Sequence, residues 1–191
     1  MIDPAIGLGQ IQASDPDFDK DAFLKHAGKS LFAVKSAMQA REPADMRDLV
    51  SASVYDDLRS DVMSLYARGA VHYDDLLDIR QSNIVAAEHT NEGDHITVLF
   101  LCVAMQYTLG ENDSPDAIQM PLSMPFSEYW TFSRPLGAST DAQQRAECPI
   151  CGAPIDIDTG RICRYCKTLL PPPQQQTGWT VVAIAPAAQN A

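Results

Sequence analysis

The chain has 191 residues, of which 46% are hydrophobic, and it carries 14 basic against 25 acidic side chains. A chain of this length can bury one ordinary hydrophobic core and leave a short segment for a second, smaller module. The net charge of -11 repels phosphate backbones and anionic lipid surfaces, so general binding of nucleic acid is disfavoured. No stretch approaches the roughly 20 apolar residues that span a bilayer, and the first residues lack the pattern of a secretory signal. We therefore expect a soluble, cytoplasmic chain.

The first part of the sequence has the apolar spacing of helices. Residues 1–14 show no sustained period and are predicted to form an extended tail. The first helix is predicted to run to about Arg41, before Pro43, and further helices are predicted over 44–50 and from about Val54 to Gly69. The first helix carries one apolar stripe at helical spacing: Phe23, Ala27, Leu31, Val34 and Met38.

Beyond Gly69 the apolar period changes to two, which is typical of strands. A long strand is predicted over 76–90, with a bulge or bend near 81–83 and a turn at 91–94. The run 95–107 is apolar on both faces at its centre, so we expect a central strand that is covered on both sides. This pattern is compatible with a homodimer through the sheet, and also with coverage by later segments of the chain.

Two further strands complete the predicted sheet, over 126–134 and 179–184. Alternation in the first of them places Phe126, Glu128, Trp130 and Phe132 on one face, with Arg134 at its end. Helices followed by strands indicate an α+β fold, in which helices pack on one face of an antiparallel sheet.

The predicted domain boundaries follow from these elements and from the cysteine spacing. The α+β domain comprises 15–146 and 177–186, and it is interrupted by a small cysteine ribbon over 147–170. A Pro/Gln spacer, 171–176, is expected to be stiff and extended, and 187–191 is predicted to be a tail.

Four of the five cysteines form two Cys-x-x-Cys pairs, at Cys148 and Cys151 and at Cys163 and Cys166. Each pair can offer two thiolates to one ion, and Zn²⁺ favours four such ligands in a tetrahedron. The segment around them has too few large apolar residues to fold alone, so metal binding would supply the missing stability. The sequence predicts one structural zinc ion at these four cysteines.

Other interpretations of the cysteine pairs remain open. Two disulfides would need an oxidising compartment, and a thioredoxin-like redox pair expects a single motif within a βαβ pattern. Iron in place of zinc is chemically acceptable to four thiolates. A basic cluster in the same segment also raises contact with RNA or the ribosome as a weaker hypothesis, although nearby acidic residues nearly offset it. The cluster consists of Arg145, Arg161, Arg164 and Lys167.

The sequence contains no glycine-rich phosphate loop, nucleophile elbow or His-Glu-x-x-His helix, so we predict no catalytic residues. Glu128 lies among aromatic residues, where burial would raise its pKa and suit a general acid or base. Pairing with Arg134 or another cation would make it structural instead. Cys102, in an apolar run, is predicted to be a small buried hydrophobe, and the four histidines are predicted to be surface or helix-end residues.

Several segments of the sequence resemble the Tim44-like domain. They are Asp15-Pro16-Asp17-Phe18-Asp19, Phe23-Leu24, Glu128-Tyr129-Trp130-Thr131-Phe132-Ser133-Arg134 and Trp179-Thr180-Val181-Val182-Ala183-Ile184. The resemblance covers about residues 15–184, with the cysteine ribbon before the last strand, as in bacterial versions of the domain. The family is named for a membrane-docked subunit of the mitochondrial import motor.

This resemblance implies a cone-shaped α+β fold similar to nuclear transport factor two, whose curved sheet and helices enclose a pocket. It also implies a scaffold that docks a protein partner, whose identity is not predicted, at the cytoplasmic side of a bacterial inner membrane. The scaffold would be attached to the membrane through an upstream segment or through the partner. The candidate pocket or partner surface is formed by Glu128, Trp130, Phe132 and Arg134. The alternative is ligand binding or catalysis in the pocket, with Glu128, Asp78 or a histidine as acid or base.

Overall fold

The computed structural model describes residues 3–110, 113, 122–138, 140, 150, 151, 153, 162, 163, 165–169 and 178–187. These residues form the predicted α+β fold, in which helices pack on one curved antiparallel sheet with the strand order β1-β2-β3-β4. The elements are α1 (Pro4–Ser14), α2 (Lys20–Ala40), a 3₁₀ turn (Pro43–Met46), α3 (Ala52–Ala67), β1 (Ala70–His89), β2 (Gly93–Gly110), β3 (Met124–Pro135) and β4 (Thr180–Pro186).

The prediction of an extended tail over residues 1–14 is wrong, because the chain forms α1 there. The Asp3 side chain caps this helix, and Ile11 is fully buried. Gly7 lies so close to β1 that a Cβ on it would be 1.8 Å from the carbonyl oxygen of Ala87. The helix packs through Gly7 and Ile11, with Leu8 half-buried beside them, and this set is too short to give a sustained apolar period in the sequence.

The stripe predicted for the first helix is confirmed in α2, which buries four of its five members and half-buries Met38. Asp19 begins the helix by accepting a hydrogen bond from the backbone N–H of Ala22 at 2.6 Å. Arg41, in the left-handed conformation with φ of 60°, ends it before Pro43. The helix predicted over 44–50 is reduced to the 3₁₀ turn.

The sheet is curved where β1 pairs with β2. The register between them shifts at three places, Asp75/Asp78, Ile79/Gln81 and Ile84/Ala86. The second shift adjoins the bend that the sequence predicts, and the first contains Leu76, whose φ is 53°. Extra residues on one strand increase its local twist and bend it, so the long β1 can wrap around the helices.

Strand β2 is central, as predicted, but its two faces differ. The face toward the helices is buried along its length, from Ile96 to Ala104, and packs in the aromatic core with Trp130 and Phe132. The opposite face, which includes Leu99, is half-buried. Full coverage is therefore seen on the side of the helices, and partial coverage on the opposite side.

The predicted spacer, 171–176, lies outside the described residues, as do most positions of the ribbon and the last residues of the predicted tail. Among the helices that the structure describes, none is both long and apolar enough to cross a membrane.

Candidate metal centre

Three of the four predicted metal ligands lie together in space. The sulfur atoms of Cys151, Cys163 and Cys166 are all within 4.8 Å of one another. Cys163 is buried, Cys166 is half-buried and Cys151 is exposed. Cys148 lies outside the described residues.

A tight turn of the backbone positions the second cysteine pair. The Cys163 N–H donates to the Thr168 carbonyl and the Lys167 N–H donates to the Cys163 carbonyl, each at 2.9 Å. Lys167 takes the left-handed conformation, with φ of 62°, which turns the chain back after Cys166. Thr168 Oγ1 lies 3.2 Å from Cys166 Sγ, where it can hydrogen-bond to a thiolate.

The sulfur geometry suits a tetrahedral metal ion. Four sulfurs at about 2.3 Å from a zinc ion form a tetrahedron with edges of about 3.8 Å. The distance between the sulfurs of Cys151 and Cys163 is also 3.8 Å, far longer than the roughly 2.05 Å of a disulfide bond. The three cysteines can therefore hold a metal ion, and their thiolates suit soft or borderline metals such as zinc and iron.

Arg134 lies in the core and not on a partner surface, so its assignment to a partner surface is wrong. Its guanidinium is fully buried between two carboxylates: Nη1 donates to Asp15 at 2.6 Å, and Nη2 donates to Asp94 at 2.6 Å. The hydroxyl and the backbone N–H of Thr140 also donate to Asp15, at 2.6 and 3.0 Å. Burial raises the pKa of Asp15, but the hydrogen bonds from Thr140 and Arg134 outweigh it and lower the pKa below its usual value.

Thr140, before the cysteine-bearing segment, and Trp179, after it, both contact this guanidinium. The ring of Trp179 lies 4.8 Å from the Arg134 Cζ on one side of the segment, and Thr140 lies on the other. His89 Nδ1 lies 2.6 Å from the second oxygen of Asp94 and extends the cluster to the surface. The Arg134 cluster is therefore structural: it joins the connection between α1 and α2, the sheet, and the two ends of the segment that carries the cysteines.

Glu128 is paired with a cation, and that cation is Lys35 of α2. The Lys35 Nζ lies 2.7 Å from one carboxylate oxygen, and the indole N–H of Trp130 donates to the other at 2.9 Å. Trp130 and Phe132 are themselves fully buried, so neither can form a partner surface. Sequence reasoning missed Lys35, although it lies four residues after Leu31 and three before Met38, on the edge of the buried stripe of α2.

Asp74 shares Lys35 with Glu128, at 3.7 Å from the ammonium. Burial raises the pKa of Asp74, but the hydrogen bond from His72, the charge of Lys35 and the hydrogen bond from Gln106 outweigh it and lower the pKa to about 2. This carboxylate therefore remains ionised near neutral pH and is a poor proton donor.

Within the part of the chain that the structure describes, the interior expected to hold a pocket is largely filled. The cavity beside Lys35 has a volume of about 60 Å³, room for a few water molecules. Larger concave regions, of about 480 and 280 Å³, are open grooves at the turn between β1 and β2 and beside α1. Asp78, the other acid considered, is exposed and pairs with Arg80 at 3.0 Å.

Cys102 is buried, and burial together with the charge of Glu128 raises the pKa of its thiol to about 11. A thiol with this pKa stays protonated, as expected for a small buried hydrophobe. His26 packs near Phe132, and its pKa is lowered by burial and by the charge of Lys29, so it stays neutral.

Comparison with known proteins identifies the family. The sequence profile of the Tim44-like domain matches residues 5–144, which is well over half of the chain and includes α1 through β3. No curated protein matches the chain at a significant level. The chain therefore belongs to the Tim44-like domain family.

Proposed function

We propose that this chain is a non-catalytic domain that binds a protein partner near the cytoplasmic face of a bacterial membrane. We further propose that one structural zinc ion, held by Cys148, Cys151, Cys163 and Cys166, stabilises the cysteine segment as part of the binding surface. Tim44-like domains are generally protein-interaction domains without catalytic activity, and related proteins are associated with membranes. This family character supports the first part of the proposal.

The observation that carries the proposal is the close packing of the interior among the residues that the structure describes. Trp130 and Phe132 are fully buried in the aromatic core, and Glu128 is engaged by Lys35. A cavity of about 60 Å³ is too small for a typical substrate, whose sites measure roughly 300–1,000 Å³. Binding through the outer surface fits this arrangement better than catalysis in the interior.

The exposed apolar side chains of the cysteine segment support both its need for a metal and its contact with a partner. Ile150, Ile162, Tyr165 and Leu169 are 70%, 55%, 59% and 65% exposed, so they do not form a core of their own. Four thiolates would fill the coordination of a zinc ion and leave no position for water or substrate, which makes its role structural. The apolar groups are then available to a protein surface.

The test is recovery of a partner from membrane and soluble fractions of the native host with tagged variants of the whole chain. We expect one protein, recovered with the wild type and with Cys102→Ala, and lost with Cys163→Ser because that variant lacks a metal ligand. Cys102→Ala is the matched control, since it removes a cysteine that lies in the hydrophobic core and not among the metal ligands. The proposal is wrong if no protein depends on Cys163, or if the chain turns over a small molecule and Glu128→Gln abolishes this while the fold persists.

A further inference from the structure

Two arginines lie over tyrosine rings of α3. Arg47 Cζ is 4.6 Å from the centre of the Tyr55 ring, and Arg41 Cζ is 5.3 Å from the centre of the Tyr66 ring. The two tyrosines are three helical turns apart, so they share one side of α3 at a separation of about 16 Å. Arg59, four residues after Tyr55, is exposed between them on the same side. We call these three arginines and two tyrosines the arginine stripe.

The positive charges of the arginine stripe have no carboxylate partner within the described part of the chain. The ion pairs there engage other cations, and no carboxylate oxygen lies within 4.0 Å of any of the three guanidiniums. On α3 itself, Asp57 and Asp61 project from the opposite side of the helix, and Asp56 only borders the stripe. A chain with a net charge of -11 therefore presents a local site of positive charge.

Arg41 occupies a position that lowers the stability of the fold. It ends α2 in the left-handed conformation, with φ of 60°, where glycine is the usual residue. Its Nε is also buried without a hydrogen-bond partner among the described residues. Residues with such costs concentrate at binding sites. The side chain that results here is a guanidinium held over Tyr66, at one end of the arginine stripe.

Exposed apolar groups accompany these charges. Tyr66 and Met63 are 59% and 49% exposed, and Met63 lies beside Arg59 on the surface of α3, four residues further on. A guanidinium can donate two parallel hydrogen bonds to one carboxylate. An arginine already held on an aromatic ring loses less side-chain freedom when it binds such a group. The arginine stripe is therefore suited to a ligand that has both carboxylates and an apolar side.

The net charge of the chain distinguishes between classes of anionic partner. RNA and anionic membranes extend beyond three arginines, and their phosphates would face the surrounding carboxylates of a chain with a net charge of -11. A short peptide segment can contact the stripe alone. We propose that the arginine stripe binds an acidic, amphipathic segment of a partner protein, whose carboxylates pair with the three guanidiniums. The stripe does not include the cysteine segment, so this proposal and the proposed function can fail separately.

Fluorescence anisotropy of a labelled helical peptide of glutamate and leucine, titrated with the whole, metal-replete chain up to about 200 µM, tests this proposal. We expect binding that weakens as salt rises and that is lost when glutamine replaces glutamate in the peptide. Arg47→Gln and Arg59→Gln should each weaken it about two- to fivefold, and together about tenfold. Lys25→Gln is the matched control and should bind as the wild type does, because it removes an exposed charge of α2 outside the stripe.

Arg41→Gly separates binding from stability. Glycine favours the left-handed position, so this variant should melt at or above the temperature of the wild type while it binds the acidic peptide more weakly. The proposal is overturned if the acidic peptide does not bind, or if the double variant of Arg47 and Arg59 binds it as tightly as the wild type. Tighter binding of anionic vesicles or of an RNA oligonucleotide than of the peptide overturns it as well.

Discussion

Arg134 shows how a single side chain can hold several elements together. A buried guanidinium is tolerated only when its donors and charge are satisfied, and here Asp15 and Asp94 supply two carboxylates. The aromatic rings of Phe18 and Trp179 lie against it at 5.9 and 4.8 Å. Removing the guanidinium would leave both carboxylates buried without a cation, which is more costly than losing an exposed pair.

Arg134→Met should therefore lower the free energy of unfolding by roughly 3–5 kcal/mol. Arg80→Met is the matched control on the same sheet, because the Arg80–Asp78 pair is exposed on both sides, and its loss should cost less than about 1 kcal/mol. Urea unfolding at neutral pH, followed by circular dichroism, measures both values. Equal costs for the two variants would mean that Arg134 does not hold the structure as described.

For individual residues, the sequence predicted the chemical role of a side chain better than it predicted which residue that side chain contacts. Two Cys-x-x-Cys pairs predict a shared site because their spacing alone limits their geometry, and three of those cysteines do meet. The partner of Glu128 was not predictable, since Lys35 is 93 positions away and comes close only through the packing of α2 on the sheet. Asp94 resembles a solvated turn residue in sequence, and only the fold places it beside Arg134.

Among the helices and strands, α1 packs through a glycine at its contact with β1. A Cβ at Gly7 would lie 1.8 Å from the Ala87 carbonyl oxygen and 2.3 Å from its carbon, both backbone atoms of β1. The neighbouring Gly9 has no atom within 4 Å of its ideal Cβ position. The close approach of the helix to the strand therefore depends on Gly7 alone of these two glycines.

Gly7→Ala should force α1 away from β1 and lower the free energy of unfolding by roughly 2 kcal/mol or more, a cost typical of overpacking. Gly9→Ala, on the same helix, should be neutral or stabilising by up to about 1 kcal/mol, because alanine favours the helix. Thermal and urea unfolding of the two variants gives the comparison. The packing described for α1 is incorrect if Gly7→Ala is as stable as Gly9→Ala.

The elements with a strong apolar period were predictable, and those without one were not. The stripe of α2 and the alternation of β2 and β3 arise because large side chains repeat at the spacing of the buried face. Helix α1 has no such repeat, since a glycine makes its closest contact. The three register shifts of β1 arise from wrapping around the helices, a property of the assembled fold that no local pattern encodes.

For the whole molecule, the described residues pack closely in the interior, and this supports the proposal of a binding domain over that of an enzyme. The order of helices and strands predicted the fold class, because the helices and the sheet each have an apolar face and bury it against one another. Three of the four residues expected at a pocket or partner surface, Trp130, Phe132 and Arg134, lie in the core for a related reason. Aromatic residues on an alternating strand fill a core as readily as they line a pocket, and the fold itself decides between the two.

Metal analysis of the purified whole chain tests the central claim most directly. We predict about one zinc ion per chain, lost in Cys163→Ser and retained in Cys102→Ala, with the α+β domain still folded after chelation because its core does not depend on the metal. A chain without zinc, whose cysteines are free or joined in disulfides, would contradict the structural site. Zinc retained unchanged in Cys163→Ser would contradict it equally.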